Sequence, residues 1–163
     1  MSSYLHLPAV LRSPPQAMAR LAGGPDHPNL SGTVRFYQTP AGVIVWTEVR
    51  GLPRSQDPCA SQIFGFHIHE GTDCAGTPED PFAGAKSHFN PGGCAHPHHA
   101  GDLPPLFGSG NGCALSLFLT DRFTVQEVTG RTVILHAHPD DLTTQPAGGA
   151  GKKIACGVIR RTR

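Results

Sequence analysis

From Gly71 to Gly112 the chain passes through a tract crowded with Gly and Pro that contains no sustained apolar run. Connections longer than about 12 to 15 residues are uncommon inside a compact domain, and those that occur are functional or disordered. This one carries Cys74, His88, Cys94, His96, His98, His99 and Asp102, a load that favours function. Any fold the chain adopts must therefore offer a rigid frame on which such a loop can be hung.

The frame reads as strands. Thr33, Arg35 and Tyr37 alternate with Val34 and Phe36, and after Thr39-Pro40-Ala41-Gly42 comes the β-branched run from Val43 to Val49. Two such runs around a Pro/Gly turn predict a hairpin. Further short runs at Ile63 to His69, Cys113 to Thr120, Thr132 to His136 and Ile154 to Ile159 are bounded by Gly, Pro, Asn or Asp, which predicts an all-β sandwich or barrel. Only Asp121 to Val128 has a helical look, and it is short. Residues 1 to 30 show no sustained period and read as an N-terminal extension, which leaves 31–163 as one domain of ordinary size.

Composition narrows the function. Charged residues make up 15% of the 163 and the formal net charge is +1, so no electrostatic footprint points to nucleic acid or to an anionic membrane. The N-terminal stretch lacks a basic region followed by an unbroken apolar run, and no segment approaches the roughly 20 apolar residues of a membrane span. The expectation is a cytoplasmic protein. Five cysteines without a CxxC pair exclude a zinc ribbon, and in a reducing compartment each would be a small buried thiol. Histidine is what stands in excess: there are ten, eight of them between His67 and His138.

Three groups of these histidines are spaced for chemistry. In Phe66-His67-Ile68-His69 the strand alternation sends both imidazoles to one face, about 6.5 to 7 Å apart at Cα, close enough to share a metal. His88 and the run from His96 to Asp102 place three or four histidines and a carboxylate on the loop, a set suited to a zinc ion that orders a segment short of apolar surface. His136 ends the apolar run Val133-Ile134-Leu135 and is followed by His138 and Asp140-Asp141. Taken singly, each group has a plainer reading: exposed strand histidines, a solvated loop, a core histidine.

Taken together, the stretches GFHIHE (65–70), SHFNP (87–91), HAGDLP (99–104), GRTVILH (130–136), Asp140-Asp141 and GAGKKIACGVI (149–159) resemble the Cu/Zn superoxide dismutase family, in order and in spacing, from about Ser31 to Ile159. The resemblance implies a Greek-key, immunoglobulin-like sandwich, or flattened eight-stranded barrel, with long metal-binding loops. It implies conversion of superoxide to oxygen and hydrogen peroxide by copper redox cycling, with zinc organising the site, and it allows a homodimer. Copper would be held by His67, His69, His88 and His136. Zinc would be held by His88, His96, His99 and Asp102, with His96 preferred to its neighbour His98 because it lies eight residues after His88. His88 would bridge the metals and serve as a proton donor. Asp140 would be the carboxylate behind one ligand of each metal, and Cys74 with Cys156 the family disulfide; a further Cys94–Cys113 bridge is open, with Cys59 unpaired.

The ligand chemistry agrees, since an imidazole set without thiolate suits copper in both oxidation states, and zinc has no redox chemistry of its own. The pattern departs from the family at two positions. Lys153 stands where the family has arginine, and Gly149 where it has asparagine. Lysine keeps the charge that would draw an anion but lacks the planar two-pronged donor, so activity is expected to be weaker or more salt-sensitive, and Lys153→Arg to raise it. A copper-delivery or other non-enzymatic metal-binding protein on the same fold is the alternative. The complete set of four copper-side histidines and the absence of a CxxC or CxC handover motif weigh against it. A purely structural zinc module would need neither the His67/His69 strand nor His136.

Overall fold

A computed structural model describes residues 6–57 and 59–163. Its strands in chain order are β1 (Ala17–Gly23), β2 (Ser31–Thr39), β3 (Gly42–Arg50), β4 (Ile63–Phe64), β5 (Phe66–His69), β6 (Leu106–Phe107), β7 (Ala114–Thr120), β8 (Thr132–His136) and β9 (Lys153–Arg161). The expected hairpin is β2–β3, in register from Ser31 opposite Arg50 to Thr39 opposite Gly42. At its turn the Thr39 hydroxyl donates to Gly42 O and accepts from Ala41 N. Alternation decides the faces: Val43, Val45 and Val49 point into the core, while Trp46 and Glu48 point out.

Seven strands form one antiparallel sheet in the order β5-β8-β9-β1-β2-β3-β7, and β4 pairs with β6 in a second. One core takes Val34, Phe36 and Val45 from β2 and β3 together with Phe66 and Ile68 from β5. Strands distant in the sheet order therefore meet, and the sheet curls into an all-β sandwich. Among the described residues there are nine strands, two of which are only two residues long: β4, just before β5, and β6, near the end of the long loop. The helical look of residues 121 to 128 resolves to one turn, α2 (Val125–Val128). It is closed by a reciprocal cap in which Thr124 Oγ1 accepts from Glu127 N and the Glu127 carboxylate accepts from Thr124 N.

The 1–30 extension needs correction. Residues 17–23 are β1, which lies inside the sheet between β2 and β9 with Ala17, Ala19 and Leu21 buried. Alanine is a poor strand former, so the segment gave no strand signal. Hydrogen-bonded neighbours on both edges and small side chains that let the core close over it supply what propensity lacks. Upstream, the helix Leu7–Arg12 (α1) buries none of its residues, and positions 1–5 of the extension lie outside the described residues.

The 71–112 tract is ordered with little regular structure beyond a 3-10 turn at Ala83–Ala85 and β6. Its first part is tied to β9 by the Cys74–Cys156 disulfide, which closes a sequence separation of 82 residues. In the chain-entropy picture a loop of that length is worth about 4 kcal/mol. Cys59, Cys94 and Cys113 are free thiols, so the additional Cys94–Cys113 bridge is not formed.

Candidate metal centre

β5 is the last strand of the sheet, paired with β8 on one edge only. Its other edge is covered by the loop: Ile68 N donates to Gly101 O at 2.8 Å, and Phe89 N donates to Ile68 O at 2.8 Å. Isolated bridges set His69 beside His88 and His67 beside Asp102. Ile68 packs into the core, so alternation turns His67 and His69 to the opposite face. There they meet His88 from the loop and His136 from the end of β8.

Two groups of ligating atoms result. His67, His69, His88 and His136 form one, and His88, His96, His99 and Asp102 the other; within each, the atoms lie within 4.8 Å of one another and every residue is buried. His88 belongs to both. His98 and His138 are exposed, outside both groups. The expected residues thus come together, with His96 inside the second group and His98 outside it.

Four of the six imidazoles are held at one nitrogen by a partner outside the two groups, which decides what the other nitrogen can do. Asp140 accepts from His67 Nε2 at 2.6 Å through one oxygen and from His96 Nε2 at 2.9 Å through the other. His69 Nδ1 donates to Lys86 O at 2.8 Å and His136 Nδ1 to Gly151 O at 3.1 Å. These bonds place the protons, so His67 Nδ1, His69 Nε2, His136 Nε2 and His96 Nδ1 carry lone pairs. Two of those lone pairs face each other, His69 Nε2 and His136 Nε2 being 3.3 Å apart. His96 Nδ1 stands 3.0 Å from the Asp102 carboxylate without hydrogen-bond geometry. His67 Nδ1 and His88 Nε2 are buried with no partner. Buried lone pairs turned on one another or on a carboxylate are costly unless a cation lies between them. The donor sets therefore fit two metal ions, an all-imidazole one and a three-imidazole, one-carboxylate one.

The family profile for copper/zinc superoxide dismutase (SODC) matches residues 30–159. The chain is 35% identical over 143 residues to superoxide dismutase [Cu-Zn] 2 of Aquifex aeolicus, covering 79% of this chain and 78% of that one. It is 32% identical over 158 residues to superoxide dismutase [Cu-Zn] of Caulobacter vibrioides, covering 88% and 84%. The chain belongs to the copper/zinc superoxide dismutase family. A crystal structure of the clock protein EA4 superposes with a TM-score of 0.75 at 29% identity, covering 92% of this chain and 97% of that one. The family's copper and zinc match the two donor sets, the all-imidazole group suiting copper and the group with one carboxylate suiting zinc.

In this family member several supports escaped sequence reasoning because no motif marks them. Gln145 grips the backbone of His96 from both sides, accepting from His96 N at 3.1 Å and donating to His96 O at 2.7 Å. Arg122 donates to Pro97 O at 3.0 Å and holds the loop from the other flank. Gly148, at φ +67, leaves room for the Asp140–His96 contact, since a Cβ there would stand 1.9 Å from Asp140 Oδ1. Gly149, the departure from asparagine, has φ +60, a conformation in which glycine is at ease. Lys153 is the cross-strand partner of His136, and its ammonium donates to Asp80 Oδ2 at 2.8 Å and to Phe82 O at 3.1 Å.

Proposed function

We propose that this chain disproportionates superoxide, two anions and two protons giving one oxygen and one hydrogen peroxide. His67, His69, His88 and His136 would hold copper, and His88, His96, His99 and Asp102 zinc. Copper supplies one-electron chemistry and zinc supplies charge and order. The observation that carries the reading is His88. Its Nδ1 lies 2.7 Å from Asp102 Oδ1 within the zinc group, while its Nε2 is a buried orphan within the copper group. One imidazole could thus serve both groups, and its Nε2 is the atom at which this residue could hold and pass on a proton. Asp140 fixes the orientation of one histidine in each group, and Lys153 lies beside His136 across β8 and β9.

Metal analysis joined to a superoxide-consumption assay tests this. Protein holding one copper and one zinc per chain is expected to consume superoxide; the same loading without activity would leave the non-enzymatic metal-binding alternative.

We propose a homodimer on a separate observation. Leu115, Leu117 and Leu119 leave edge strand β7 on its outer face, and with Phe107 they are four exposed large apolar side chains on neighbouring strands. Arg35 and Glu48 beside them are paired to each other, so a second copy meets no like charge there. Sedimentation is expected to give a dimer that Leu117→Lys converts to monomer, and a monomeric wild type at tens of micromolar refutes it. No described helix is long and apolar enough to cross a membrane. A cytoplasmic location is likewise a proposal; it requires the disulfide to persist through burial of Cys156, and cell fractionation tests it.

A further inference from the structure

Lys153 occupies the arginine position of the family pattern, yet its surroundings do not present a free cation. Two of its three ammonium donors are spent on Asp80 and on Phe82 O, both on the segment that the Cys74–Cys156 disulfide ties to β9. The Asp80 side chain is 47% exposed and that of Lys153 16%, so the carboxylate is the partner that faces the solvent more openly. A cleft of about 480 Å³ beside the pair is lined by Asp26, Glu79 and Asp80 as well as by Lys152 and Lys153; its acids at least balance its lysines. The hydrogen bond from Lys153 holds the Asp80 carboxyl below the usual carboxylate range, which keeps it ionised at neutral pH. At the same time Lys153 lies opposite His136 across β8 and β9, so whatever charge it retains is felt at the copper-side group.

We propose that Asp80 is a positioning residue that restrains anion capture, holding the Lys153 ammonium against the disulfide loop and cancelling its charge at the mouth of the copper-side group. The proposal rests on the reading of that group as the site where superoxide reacts. It also mirrors the low overall charge of the chain locally: the lysine at the family's arginine position has a counter-ion. Exchange of Lys153 for arginine alone raises the rate less than removal of the Asp80 charge, because Asp80 would pair with the guanidinium as well.

Asp80→Asn is the test, because asparagine keeps an oxygen that can accept from Lys153 while losing the charge. In fully metallated protein at low ionic strength, the second-order rate with superoxide is expected to rise about 3- to 10-fold and to fall more steeply with added salt than in wild type. Azide, titrated spectroscopically as an anion probe that needs no turnover, is expected to bind more tightly by a similar factor. Adding Lys153→Gln to Asp80→Asn is expected to erase both gains. Asp80→Asn with full metal content and unchanged rate, salt slope and azide affinity overturns the proposal, as does a gain that survives Lys153→Gln. A wild type that binds both metals but consumes no superoxide overturns the functional reading instead; tighter azide binding in Asp80→Asn would still support the restraint on anions.

Discussion

The two halves of the metal centre are built from different material. In the group proposed for copper three of four histidines stand on strands, His67 and His69 on β5 and His136 at the end of β8, and their outward nitrogens are aimed by Asp140, Lys86 O and Gly151 O. In the group proposed for zinc all four residues belong to the loop between Gly71 and Gly112. There His88 Nδ1 and His99 Nδ1 are 3.3 Å apart, with Asp102 Oδ1 2.7 Å from the first and 3.3 Å from the second. Strand positions exist as soon as the sheet closes. Loop positions are held by a few hydrogen bonds and by what the ligands share, so an ion there contributes folding energy to the segment that binds it. One half is a site that the fold presents; the other is a site that helps make the fold.

The largest effects should separate the halves. His136→Ala, or His67→Ala, removes a strand-borne ligand and is expected to cut superoxide consumption by more than the roughly 10- to 100-fold that losing an outer partner costs, with zinc still near one per chain. Asp102→Ala is expected to do the reverse: zinc falls, and limited proteolysis opens the 71–112 loop while the sheet melts as before. If Asp102→Ala left the loop protected, or His136→Ala released zinc, the division between strand and loop would be wrong.

Asp140 joins the halves and should respond differently from both. Its two oxygens take one N–H from each side. In Asp140→Asn one of those oxygens becomes an NH₂ group, so a donor faces a donor and either His67 or His96 must move its proton to the nitrogen that should bind metal. The expected outcome is a loss of roughly 10- to 100-fold in affinity, read by chelator competition for copper and zinc separately. A variant that weakens only one metal would identify which imidazole keeps its tautomer.

How much of this was legible in the sequence follows the same division. His67 and His69 could be placed on one face because alternation is a local rule, and His136 because it ends an apolar run. His96, His99 and Asp102 were found by residue type and interval, with His98 as an equal candidate on chemistry alone. The eight-residue interval from His88 favours His96, and the fold adds that His96 is buried while His98 is turned to solvent. β1 was missed because Ala17-Met18-Ala19 has little strand propensity and its stability comes from β2 and β9, which are distant in sequence. Lys153 was recognised as a cation, but its pairing with Asp80 spans 73 positions and depends on how the disulfide loop lies. Local periodicity marks strands and short-range motifs mark ligands; the long-range partners that set charge and tautomer leave no mark in either.

The metal-free protein gives the mildest test of the contrast, through pH. Burial drives the His67 imidazole down to about 2, aided by neighbouring His88 and His136, and drives that of His136 down to about 4. An unfolded chain binds protons at both near the ordinary value of about 6.5. Stability is therefore whole above pH 6.5 and declines as the pH falls, by about 2 kcal/mol from each histidine at pH 5, levelling off for His136 near its folded value. Asp102 acts in the same direction but over a lower pH range. Burial pushes its carboxyl up, but the hydrogen bond from His88 and the charges of His88, His96 and His99 more than offset this and hold it at about 2. Its contribution is intact above the unfolded carboxylate range near 4 and disappears only between about 4 and 2. The melting temperature of metal-free protein should thus begin to fall near pH 6.5, with a second decline below pH 4. His136→Gln should soften the first decline and spare the second, whereas Asp102→Asn should do the converse. A midpoint that stays flat from pH 7 to pH 5 would mean that the strand-borne histidines are not held neutral by the fold, and that the copper side is no more prearranged than the loop.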